Sequence, residues 1–152
     1  MTIASAVCNT FKMELLESKH DFANGGDSFK IALFTSSASL GATTANYSTT
    51  NEITNTSGSA YTAGGLALAG QSVTGGSSAA IAFVDWSTNP QWTSASFTAN
   101  GAMIYNTTTD GGSSTTNTVC IIAFGSDFTA SNGTFTITFP AADTSNAILR
   151  LS

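Results

Sequence analysis

Thr134-Phe135-Thr136-Ile137-Thr138-Phe139 decides the fold class. Apolar and hydroxyl side chains alternate here without a break, and a period of two marks a β-strand with one buried face. Phe135, Ile137 and Phe139 then point into a core while three threonines meet water. Pro140 follows and, lacking an N–H for the ladder, closes the strand.

Working outward, further runs rich in strand formers appear at Phe29–Thr35, Ala80–Trp86, Ser94–Thr98, Ala102–Tyr105, Val119–Phe124 and Ala147–Leu151. Turn signals punctuate them: Asn100-Gly101, Asp110-Gly111-Gly112 and Ser131-Asn132-Gly133. About seven short strands so divided predict a mainly β fold, a single-domain antiparallel β-sandwich or jelly roll over 27–152. Two Ser/Thr/Gly-rich stretches read as long loops. Ser36–Ser59 has Leu40, Tyr47 and Ile53 as its few anchors, and Asn106–Asn117 reads as a hairpin tip or contact loop.

Residues 4–21 differ from the rest. Val7, Phe11 and Leu15 recur at i, i+4 and i+8, Cys8 widens the stripe, and Lys12, Glu14, Glu17 and Lys19 lie off it. This pattern predicts an N-terminal amphipathic helix of about four turns, with Ser5 as N-cap and Asn24-Gly25-Gly26 as its stop.

Charged residues make up 9% of the chain, against about 25% in a typical soluble domain. The 152 residues suffice for one domain, which folding lets bury roughly 70% of its extended surface. The hydrophobic fraction of 41% argues against disorder. Net charge is −5, and Lys12, Lys19, Lys30 and Arg150 are the four cations. Four scattered cations build neither a nucleic-acid site nor a polybasic membrane site. Neither a secretory leader nor an apolar run of ~20 residues is visible, so synthesis in a cytoplasm is expected. Cys8 and Cys120 read as buried free thiols in that compartment, although spacing alone leaves a disulfide open.

Candidate chemistry is sparse. His20 at the helix end has no nucleophile or orienting partner in motif spacing, and a structural role is its default. Asp27, Glu52, Asp85, Asp110, Asp127 and Asp143 are scattered, and Asp27, Asp110 and Asp143 sit in turn-like sequence where Asp caps backbone donors. We therefore assign no catalytic residue, no cofactor and no metal ligands. The local aromatic cluster is Trp86-Ser87-Thr88-Asn89-Pro90-Gln91-Trp92. Its two rings either form a sugar-stacking platform or cap the sandwich core, and burial of Trp favours the cap.

Five segments, in order, carry a resemblance: Phe11-Lys12-Met13-Glu14-Leu15-Leu16, Phe29–Ala38, Tyr61-Thr62-Ala63-Gly64-Gly65, Gly101-Ala102-Met103-Ile104-Tyr105-Asn106 and Phe139–Ile148. Together they resemble small virion structural proteins of tailed bacteriophages, including phages of cyanobacteria and marine bacteria. The resemblance implies a non-enzymatic capsid decoration (cement) protein on the outside of the head. Its partner would be the major capsid protein, and such proteins commonly assemble as trimers. A tail fibre, knob or head-fibre carbohydrate-binding module is the alternative, with Trp86, Trp92 and Asn106–Asn117 as its receptor surface; another tail or neck component is a third. Phe11, Leu15, Trp86 and Trp92 are the candidate interface residues. Low charge suits an interface whose core is depleted of ions.

Overall fold

A computed structural model describes residues 1–54, 58–76, 79–108 and 115–152. Asp110-Gly111-Gly112 and the middle of the Asn106–Asn117 loop lie outside the described residues. Eight strands and one helix follow in the order β1 (Ala6–Val7), α1 (Asn9–Leu16), β2 (Phe29–Phe34), β3 (Leu66–Ala67), β4 (Gln71–Gly76), β5 (Ala79–Trp86), β6 (Gln91–Asn106), β7 (Thr118–Thr136) and β8 (Leu149–Leu151). Two antiparallel sheets result, ordered β1-β7-β6-β2-β3 and β4-β5-β8. The mainly β architecture is consistent with the expected sandwich.

β2 lies inside its sheet, between β6 and β3, and Ile31, Ala32 and Leu33 are fully buried. A strand covered on both faces reads as a continuous apolar run rather than an alternation. The 134–139 segment behaves in the opposite way, as its period requires. Its threonines are exposed, Phe135 and Ile137 half-buried and Phe139 buried, although the ladder itself ends at Thr136.

Two expected turns are bulges inside long strands. β7 runs through Ser131-Asn132-Gly133, because the register passes from Ala95↔Gly133 to Ser96↔Ser131 and leaves Asn132 as one extra residue. Asn132 adopts φ +49°, which Asn tolerates better than most side chains. β6 runs through Asn100-Gly101, where the register jumps from Ala99↔Phe128 to Gly101↔Ala123. Gly101 answers a close approach: a Cβ there would lie 2.8 Å from Ile3 Cγ2 and 2.9 Å from the Ile122 carbonyl. Opposite Asn100, residues 124–127 of β7 bulge outward and fold the ribbon. Phe124 and Phe135 thereby reach a ring separation of 6.2 Å, where a straight strand would hold them roughly 36 Å apart.

The N-terminal segment also corrects its expectation. The helix spans two turns, not four, because Ala6 and Val7 pair with Ile121 and Cys120 as β1. Ser5 is not the N-cap; its Oγ accepts the Ala123 N–H at 2.9 Å, and Cys8 occupies the cap position with its thiol turned to the Gly41 carbonyl rather than to the helix N–H groups. Ser18 at φ +59° stops α1. Its N–H bonds to the Leu15 carbonyl and that of Lys19 to the Glu14 carbonyl, the paired bonds of a Schellman cap. In β1, Cys120 sits opposite Val7 and the Cys8 N–H bonds to Val119, so the two thiols face opposite sides of the strand pair; both are free.

Candidate functional site

The aromatic candidates lie in the core. Trp86 is 1% and Trp92 3% exposed. Trp86 packs edge-on to Phe29 and Phe22, and Trp92 against Tyr61, Phe97 and Phe135. A sugar platform needs open ring faces, and neither indole offers one. Phe11 is likewise buried, against His20 and Phe22. Of the four interface candidates, Leu15 alone reaches the surface, half-buried on α1.

Beneath α1 runs a buried polar chain. Asn106 Nδ2 donates to Asp27 Oδ2 at 2.7 Å and to His20 Nδ1 at 3.0 Å, while its Oδ1 accepts the Thr108 N–H at 2.8 Å. With Nδ1 accepting, the His20 ring carries its hydrogen on Nε2 and donates it to Glu14 Oε2 at 2.9 Å. Asp27 also accepts the Asp21 N–H, so it caps a backbone donor as its turn-like sequence indicates. The imidazole side chain is fully enclosed and both nitrogens are occupied. It cannot reach a solute; it ties α1 to the end of β6.

A second cluster surrounds Glu52. Its carboxylate accepts the Tyr47 hydroxyl at 2.6 Å, the Tyr61 hydroxyl at 2.6 Å and the Gly64 N–H at 2.7 Å. Tyr61 oxygen in turn accepts the Leu33 N–H of β2, and Tyr105 stacks on Tyr47 at 4.3 Å and donates to the Gly64 carbonyl. Burial, reinforced by the anionic Glu52, pushes the Tyr47 and Tyr61 phenols far up and Tyr105 to about 12. This cluster, with buried Ile53 and half-buried Leu40, pins the Ser36–Ser59 loop to the sheet. Burial also raises the thiols, Cys8 to about 11 and Cys120 to about 12, which keeps both protonated and unreactive near neutrality.

One surface feature is a groove of about 620 Å³ between α1 and the β4-β5-β8 sheet. Registers Val73↔Val84, Val84↔Leu149 and Ala82↔Leu151 put these five residues on one face of that sheet. A two-turn helix is too short to cover three strands. Val73 and Leu151 are therefore 54% and 62% exposed, and with Leu16 at the end of α1, 89% exposed, they are three of the six large hydrophobics that stand open on the described surface. Phe11 and Leu15 line it from the helix side. Apolar surface gathered in one place, rather than scattered, marks an interaction site.

Among the described residues no three His, Cys, Asp or Glu side chains converge as a metal ion would need, and no helix is long and apolar enough to cross a membrane. Asp143 caps the Ser145 and Asn146 N–H groups, and the Asn146 amide holds its carboxyl below the usual range. Sequence reading placed Glu14 off the apolar stripe and did not single out Glu52 or Asn106, yet all three are buried polar hubs. For Glu52 a signal existed: it is the lone charge in the Ser36–Ser59 stretch. Comparison with protein-family models, curated proteins and solved structures finds no match to this chain.

Proposed function

We propose that this chain is a non-enzymatic structural component of a bacteriophage virion, a decoration protein that binds the outside of the head and stabilises the major capsid protein lattice. The observation that carries the reading is the uncovered apolar groove flanked by Leu16, Val73 and Leu151. A cement protein works through burial, and most of the side chains lining this groove are apolar, with Lys12, Asp21 and Arg150 among them. The surrounding Ser/Thr surface adds hydrogen bonds that depend little on salt. The carbohydrate-binding alternative loses its platform, since both indoles are enclosed.

The test uses heads of the phage that encodes the chain, stripped of it and incubated with purified protein. Saturable binding that raises the temperature at which heads release DNA is expected, with loss of binding in Leu16→Glu. Leu16 is exposed, so that change leaves the fold intact. Recovery of the protein from tails and never from heads refutes the proposal.

A further inference from the structure

β7 offers an unusual edge. Beyond Cys120 and Ile121, which pair with β1, no strand of the described residues lies on its side away from β6. Natural edges are guarded by lysines, prolines, short length or bulges, and of these β7 has only the bulges, at 124–127 and Asn132. β7 has 19 residues, no Lys, Arg or Pro, and a single charge, Asp127, held by the Asn100 amide at 2.8 Å. Its apolar face is also open on this side. Across the ribbon, Trp92, Ala95, Phe97 and Ala99 of β6 are buried, whereas Phe135 is half-buried and Phe128 50% exposed. Phe124, Phe128, Phe135 and Ile137 line a groove of about 590 Å³ along the same edge.

We infer that β7 of a second copy of this chain occupies this edge, antiparallel and related by a two-fold axis. An added strand must supply backbone partners and alternate side chains, apolar toward the groove and hydroxylic outward. β7 itself has that pattern, Phe128, Ala130 and Phe135 on one face and Thr129, Ser131, Thr134 and Thr136 on the other. Charge selects the same partner. Each copy carries −5, yet β6 has no Asp, Glu, Lys or Arg and β7 has Asp127 alone, so this ribbon is where two copies meet with few like charges opposed. Antiparallel pairing sends the two Asp127 side chains to opposite ends. A strand that is its own partner closes after two copies, so the unit is a dimer in place of the trimer implied by the resemblance.

The inference goes beyond the proposed function and has its own readouts. Sedimentation equilibrium of the full chain should give twice 15.5 kDa. The amides of residues 129–136 should exchange slowly in the dimer and faster on dilution. Phe128→Lys, and independently the exposed Thr134→Lys, should restore the monomer with an unchanged far-UV spectrum, while Leu16→Glu should leave the dimer intact. A monomer at all concentrations, a trimer, or a dimer abolished by Leu16→Glu but kept by both lysine variants overturns it. A dimer that does not bind heads refutes the decoration reading and leaves this one standing; a monomer that binds heads does the reverse.

Discussion

At Glu52 one carboxylate accepts three hydrogen bonds from two tyrosines and a backbone N–H. Bonds to a charged acceptor contribute about 1.5–3 kcal/mol each, and a buried donor left facing another donor costs a similar amount. Glu52→Gln turns an NH2 toward one of these donors, and we expect a loss of about 2–4 kcal/mol in urea unfolding. A loss below about 0.5 kcal/mol would mean that the three bonds are not formed together. Gly65 and Gly25 separate backbone strain from collision. Both have positive φ, +73° and +86°. A Cβ at Gly65 would fall 1.9 Å from the Ile31 carbonyl oxygen of β2, whereas at Gly25 nothing lies within 4 Å. Gly25→Ala should cost about 1–2 kcal/mol from conformation alone, and Gly65→Ala distinctly more. Equal losses would show that β2 yields freely.

Elements show where sequence reasoning reaches its limit. The 134–139 alternation and the β2 run were legible because periodicity and two-sided burial are written in consecutive residues. Asn100-Gly101 and Ser131-Asn132-Gly133 misled, since a bulge and a turn ask for the same residues: positive φ or a missing Cβ. Which one forms depends on the partner strand, and no local window holds that information. The helix was overlong for a related reason. Val7 fits a helical stripe, but its pairing with Cys120 is set by a residue more than a hundred positions away. Phe11 and Leu15, which line the groove, could be put on one helix face because their spacing is helical. Leu16, Val73 and Leu151 were missed because they belong to elements that meet only in three dimensions. The tie between α1 and β6 is a prediction at this scale. Asn106→Leu keeps the volume but removes donors to His20 and Asp27, costing about 2–4 kcal/mol. Amide exchange in α1 should then quicken more than in β2. Uniform quickening would instead assign Asn106 to global stability.

The molecule as a whole replaces ions with hydroxyls, and its response to solution conditions follows. Its one Lys–Glu pair among the described residues, Lys19–Glu17, is partly exposed, and such pairs contribute little and are screened by salt. Moderate salt should therefore leave its melting temperature almost unchanged. Alkali should not. Burial, first of all, raises Tyr47, Tyr61, Tyr105, Cys8 and Cys120 in the folded state, Cys8 to about 11 and Tyr105 and Cys120 to about 12. Unfolded, these groups ionise near about 8.5 for Cys and about 10 for Tyr. The folded chain thus holds protons that the unfolded chain releases, so the stability they contribute is complete below about pH 8.5 and declines as pH rises through the folded values. The chain has three tyrosines, and all three belong to the Glu52 cluster or stack on it. Their ionisation, followed by tyrosinate absorbance, should therefore coincide with loss of the β-sheet circular dichroism signal in one alkaline transition. Three phenols titrating near about 10 in a chain that keeps its sheet signal would show instead that the cluster opens to solvent without unfolding.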